Sequence, residues 1–129
     1  MKIYEQLINV NPEDIDDLNH VNNVVYVQWI QNIAKAHWEL VASPKVKQNN
    51  IWVVLNNYIE YKSPAFLNDE IYIKTYIEKA NGAVSTRIVE IYNNNTKKLL
   101  ANSKTNWCLL NAKSGKPMRI TDDIVQLFK

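Results

Sequence analysis

Polar residues Gln28, Asn32, Lys35 and Glu39 recur at spacings of four, three and four, which traces one stripe along a helix. Nearly everything around that stripe is large and apolar: Val24, Val25, Tyr26, Val27, Trp29, Ile30, Ile33, Ala34, Trp38, Leu40 and Val41. The pattern predicts one long helix over about Asn23–Val41, wetted along a narrow stripe and embraced on its other sides. Asn22 suits the N-cap, because its side chain accepts from a free N–H of the first turn. Ser43-Pro44 ends the helix.

The rest of the chain has the period of strands. Met1 to about Val10 reads as a strand, broken by Asn11, Pro12 and the acidic residues after them. Ile51 to about Phe66 is a long β-rich run. Glu70–Lys79 alternates, with Ile71, Ile73, Thr75 and Ile77 on one side. Asn81-Gly82 is the strongest hairpin signal. Ala83–Tyr92 is the next strand, turned by Asn93-Asn94-Asn95. Lys98–Leu110 follows, with Ala101, Ser103, Thr105, Trp107 and Leu109 on one face. Asp122–Phe128 reads as a short terminal helix. Short connections make the last four strands antiparallel neighbours in sequence order. A helix this apolar needs a curved sheet wrapped around it. The expected class is α+β, one domain over residues 1–129. Pro64 places the first long strand at an edge or a bulge.

Composition narrows the function. A net charge of +2 from 15 basic and 13 acidic residues is too balanced for a nucleic-acid or membrane-surface protein. One cysteine, Cys108, excludes an internal disulfide and fits a reducing compartment. Two histidines and one cysteine make a structural zinc site improbable. No apolar run approaches ~18 residues, and no charged leader precedes an apolar core. The expectation is a cytoplasmic protein without membrane insertion.

The candidate chemistry lies just before the helix. Asp14 to Trp29 reads DIDDLNHVNNVVYVQW, which packs carboxylates, a histidine and paired asparagines ahead of the most apolar segment. A carboxylate beside a helix N-terminus supplies two parts of carbonyl chemistry. One is an attacking or water-activating oxygen. The other is a set of N–H groups that favour developing negative charge.

A helix wrapped by an antiparallel sheet is the hotdog architecture. The segment D-x-D-x-x-N-H-V-N-N-x-x-Y, Asp14 through Tyr26, resembles the 4-hydroxybenzoyl-CoA thioesterase family. The His20–Trp29 run also resembles the C-terminal half of acyl-acyl-carrier-protein thioesterases. A second stretch, Tyr58 to Pro64 followed by Asn68-Asp69-Glu70, is similar to the family's E-Y-x-x-P…G-D-E strand and turn. The resemblance implies an acyl-CoA or acyl-carrier-protein thioesterase that needs no cofactor, coenzyme A being part of the substrate. It also implies a homodimer or homotetramer with sites at the subunit interface. By position, the catalytic carboxylate falls on Asp16, the carbonyl-polarising N–H falls near Asn23, and His20 matches the histidine of the carrier-protein enzymes. Asn19 stands where a glycine is common. Leu18 and Pro64 stand where the carrier-protein enzymes have Asn and Glu, so the CoA-type arrangement fits better.

Each residue also has a structural reading. Asp14, Asp16 and Asp17 could simply solvate a loop and favour the helix N-terminus. His20 could orient Asp16, bind substrate or hold the loop. Asn22 is explained by capping, or by fixing the loop that carries Asp16. Tyr26, Glu60 and Tyr61 could reach a substrate pocket, although strand geometry explains the last two equally well. His37 reads as a satisfied core histidine and Cys108 as a buried thiol. Lys45, Lys47, Lys97, Lys98, Lys113, Lys116 and Arg119 could meet CoA phosphates, with solvation the default for each. Two other functions fit the architecture: an acyl-thioester hydratase or dehydratase, and an acyl-thioester binding protein without turnover.

Overall fold

The computed structural model describes residues 2–129; Met1, assigned to the first strand above, lies outside them. Strand β1 (Tyr4–Asn9) leads through a 3-10 turn to helix α1 (Asn23–Val41) and a short helix α2 (Pro44–Asn49). Strands β2 (Asn50–Tyr61), β3 (Glu70–Asn81), β4 (Val84–Asn93) and β5 (Leu99–Asn111) follow, and α3 (Asp122–Leu127) closes the chain. The five strands form one sheet in the order β1-β3-β4-β5-β2, every pair antiparallel. Bulges at Leu55 of β2 and Glu78 of β3 interrupt the register. Such bulges bend a strand and increase its twist, which curves a sheet around its contents.

Helix α1 starts where the sequence places it. The Asn22 side chain accepts from Val24 N–H at 3.1 Å, and the Asn22 carbonyl accepts from Val25 N–H at 2.9 Å. Replacing Asn22 by Ala removes this cap and should cost about 1 kcal/mol, read as a lower urea midpoint at unchanged slope.

The helix is less enclosed than its sequence implies. Its buried residues are Tyr26, Trp29, Ile30, Ile33, Ala34 and His37, a single stripe at helical spacing. Val24 is 72% exposed and Leu40 69%. One sheet covers one side of a cylinder, so the apolar flanks of α1 stay open in the single chain. Beneath the stripe, Ile30 and Ile33 pack with Ile71, Ile73, Val89 and Ile91 of the sheet. A second cluster, with Leu109, Ile120, Ile124 and Phe128, joins α3 to the far end.

Two further expectations are corrected. Ser43-Pro44 ends α1 but also starts α2: Ser43 Oγ accepts from Val46 N–H at 3.2 Å. Proline suits a first helical turn, where its missing N–H has no partner to lose. The other correction concerns pairing. Strand β2 pairs with β5 and not with β3; β3 is flanked by β1 and β4. The connection Lys62–Asp69 is long enough to carry the chain across the fold, so β2 lies on the outer side of β5. Pro64 falls in this connection, beyond the end of β2, and β2 is indeed an edge.

Candidate active site

The residues before α1 close a tight loop. Asp16 N–H donates to the His20 carbonyl at 2.8 Å, and Asn19 N–H donates to the Asp16 carbonyl at 3.0 Å. The turn requires a left-handed residue, and Asn19 supplies it with φ 62°. Asparagine tolerates that region better than most side chains, which explains why it can stand at a position where glycine is common. Asp16 Oδ1 accepts from Leu18 N–H at 2.9 Å and from His20 N–H at 3.3 Å. Among the described residues, Oδ2 has no partner. The loop is tied at both ends, by Asn22 N–H on the Asp14 carbonyl at 2.9 Å and Val21 N–H on the Ala65 carbonyl at 2.9 Å.

The three aspartates separate by role. The Asp14 carboxylate accepts from Asn11 N–H at 2.9 Å and caps the 3-10 turn. Asp17 is exposed. Of the three, Asp16 borders a cavity of about 400 Å³ that it shares with His20, Asn22, Asn23, Tyr26 and Tyr61. Asn23 stands at the first turn of α1, and its N–H has no acceptor among the described residues. That N–H carries the partial positive charge of the helix start.

His20 holds the loop through its backbone. Its imidazole makes no hydrogen bond with Asp16 and packs edge-on against Phe66, ring centroids 5.3 Å apart. Tyr26 is buried against Trp29 and Tyr61, at centroid distances of 5.2 and 5.5 Å. Burial raises the Tyr26 phenol above its ordinary value, so it is a neutral donor at any physiological pH.

The structure does not bring Glu60 to this cavity. Glu60 is not among its lining residues and pairs with Lys62 Nζ at 3.3 Å. Leu18, noted above only as a departure from the carrier-protein pattern, also lines the cavity, as do Lys62 and Ser63, which were not singled out in the sequence. The signal for Lys62 and Ser63 was present, since they occupy the two open positions of Tyr61-x-x-Pro64. None of the seven basic residues considered above for CoA phosphates borders the cavity. Cys108 is buried, its Sγ 3.8 Å from the Leu109 carbonyl. Among the described residues, no helix is long and apolar enough to cross a membrane, and no three of His, Cys, Asp and Glu converge as metal ligands.

Solved structures share this architecture. The YbaW probable thioesterase from Escherichia coli superimposes with a TM-score of 0.82 at 21% identity, covering 95% of this chain and 94% of its own. A 1,4-dihydroxy-2-naphthoyl-CoA thioesterase from Synechocystis superimposes at 0.85 with 14% identity, covering 98% and 96%. The SAV2348 protein from Staphylococcus aureus, solved in complex with CoA, superimposes at 0.86 with 14% identity, covering 98% and 81%. At these identities the likeness establishes the fold. No curated protein sequence matches the chain. A sequence profile does match, over residues 1–128: the N-terminal domain of acyl-ACP thioesterases. The match is to the N-terminal domain, whereas the His20–Trp29 run resembles the C-terminal half. With a hotdog fold, a matching profile over nearly its whole length and a carboxylate loop at the start of its central helix, the chain belongs to the acyl-ACP thioesterase family.

Proposed function

We propose that this protein hydrolyses an acyl thioester, an acyl-CoA or acyl-ACP, at the cavity that holds Asp16. One observation carries the reading. Asp16 has one oxygen anchored by two backbone N–H groups and the other free, in the same cavity as the unpartnered N–H of Asn23. In the step this arrangement suits, Asp16 Oδ2 takes a proton from water as the water oxygen bonds to the thioester carbonyl carbon. The negative charge that develops on the carbonyl oxygen meets the Asn23 N–H and the helix N-terminus. The carbon–sulfur bond then breaks, and the thiolate leaves with the proton held by Asp16. A carboxylic acid and a free thiol result, and no metal or cofactor is needed. Tyr26 and Tyr61 form the apolar wall beside the reacting carbon, and Lys62 is the cation nearest to an incoming phosphate.

The test is thiol release across a panel of acyl-CoAs and acyl-ACPs of different chain length. Release from at least one class is expected, and none from any of them would sink the reading. Loss of enoyl absorbance without thiol release would assign a hydratase instead.

A homodimer joined along β2 belongs to the same proposal. Strand β2 is an edge of twelve residues with Ile51, Val53, Leu55 and Tyr58 exposed. A long apolar edge left unpaired is a template for another strand. Light scattering should give a dimer or tetramer mass, and Val53→Lys should lower it. A monomeric mass for the unmodified chain would refute the assembly.

A further inference from the structure

The Asp16 cavity and a cluster of free cations lie at opposite ends of β2. The cavity includes Tyr61, the last residue of β2, and Lys62, Ser63 and Pro64 after it. Carboxylates crowd that end. Asp14, Asp16 and Asp17 stand in the loop before α1, and the one lysine lining the cavity, Lys62, is paired with Glu60 at 3.3 Å. A phosphorylated substrate meets little free positive charge there within its own subunit.

The other end is basic. Helix α2 carries Lys45 and runs directly into Asn50, the first residue of β2. Asn50 pairs with Asn111 at the end of β5, and Ala112 N–H donates to the Asn49 carbonyl at 3.1 Å. Asn111 N–H donates to the Lys116 carbonyl at 2.9 Å, which closes the next turn and holds Lys113 and Lys116 at the same end as α2. All three lysines are exposed, and among the described residues none has a carboxylate within ion-pair distance. In the same chain they are too far from the cavity to serve it. The twelve residues of β2, rising about 3.3 Å per step, separate the two ends by roughly 36 Å. The pantetheine arm of CoA has about the backbone length of five residues and spans roughly 17 Å.

Symmetry shortens that distance. Two copies joined along the β2 edge are related by a two-fold axis, so each contact is made twice. A strand paired with its own copy about such an axis runs antiparallel to it. The Tyr61 end of one β2 then lies against the start of the partner's β2, at a strand spacing of about 4.8 Å. The acidic cavity of one subunit stands beside the basic end of the other.

We propose that the thiol carrier is a nucleotide-bearing one, of the CoA type, and that Lys45, Lys113 and Lys116 of the partner subunit bind its phosphates. This rests on the hydrolysis and the β2 pairing proposed above, and adds the carrier and the residues that hold it. Three unpaired ammonium groups suit the several negative charges of CoA better than the single phosphodiester on a carrier protein's arm. Ammonium–phosphate hydrogen bonds are charge-assisted, and at an exposed site they weaken with salt.

The triple variant Lys45→Ala/Lys113→Ala/Lys116→Ala alters only exposed side chains. Its kcat/KM for an acyl-CoA, relative to the matching acyl-pantetheine, should fall about tenfold or more, through KM. Co-expression with Asp16→Asn then reads the geometry. In the mixed dimer, a subunit with Asp16 intact faces a partner with its lysines intact. Low-KM hydrolysis of acyl-CoA should return there, although neither variant shows it alone. No return on mixing, or a monomeric chain, overturns the proposal. So does an equal loss for acyl-pantetheine, or a loss confined to acyl-ACP, which would assign a carrier protein. Calorimetric titration with CoA separates the lysines from the hydrolysis. If no form releases thiol but the unmodified chain binds CoA about tenfold more tightly than the triple variant, hydrolysis alone is refuted. Equal CoA affinities refute the lysines, whatever the turnover.

Discussion

Asp16→Asn should lower kcat/KM for thiol release by about 10²- to 10⁴-fold, the usual range for loss of a positioned general base. The substitution suits the question because asparagine keeps an Oδ1 acceptor. The N–H groups of Leu18 and His20 retain their partner, so the loop keeps its shape. What changes is Oδ2, replaced by an amide that cannot take a proton. A melting temperature within a degree or two of the unmodified protein, together with the loss of turnover, separates chemistry from folding. Full activity in the variant would leave hydrolysis in place and remove Asp16 from it. Asn23 makes an informative contrast, since its proposed contribution is a backbone N–H. Asn23→Ala keeps that N–H and should change turnover little.

The second large effect is an acid-labile core. Burial first, then Arg87 and Lys2, lower the His37 pKa from 6.5 to about 4. Arg87 donates to Nδ1, so the proton of the neutral ring is on Nε2. Tyr4 stacks on the ring and Phe128 meets it edge-on, with centroids 5.2 and 5.0 Å away. Protonation would put two cations side by side in an apolar setting. Between pH 6.5 and about 4, the unfolded chain therefore binds a proton that the native protein refuses. Stability is fully present above pH 6.5 and falls as pH drops through that window, by up to roughly 3 kcal/mol at 1.36 kcal/mol per unit. Below about 4 this contribution levels off. His37→Gln keeps an acceptor for Arg87 and has nothing to titrate. Its stability profile should be flatter than that of the unmodified protein over this window, as read by urea midpoints at several pH values. Parallel profiles would refute the assignment.

Much of the architecture is written locally, and those parts are legible from sequence. The Asn22 cap, the Asn81-Gly82 hairpin and the alternation of β3 each depend on a few adjacent residues. The misread parts depend on distant ones. Short-range pairing favours β2 beside β3, yet Lys62–Asp69 carries the chain past the loop before α1 to reach it. Glu60 and Tyr61 were equal candidates because a motif does not say which face of a strand looks at a cavity. Adjacent strand residues point to opposite faces, and Tyr61 is the one that lines the Asp16 cavity. The Asp16 loop was legible because backbone geometry is compressed into five positions. The burial of Arg87 was not, because a charged residue in a strand is by default solvent-facing. Only the packing of His37, Thr75 and Phe128 around it reveals otherwise.

The pairing of β2 with β5 has a consequence for the order in which the molecule forms. Strands β3, β4 and β5 are joined by short turns, so their ladders close small loops. The β2–β5 ladder instead joins partners such as Val53 and Cys108, far apart in sequence. Closing larger loops costs more chain entropy, and such contacts come later in folding. Tyr61, at the end of β2, and the Ala65 carbonyl that ties down the Asp16 loop both depend on that late ladder. The Asp16 cavity is thus completed after the central meander, and fraying of the β2 edge would loosen it.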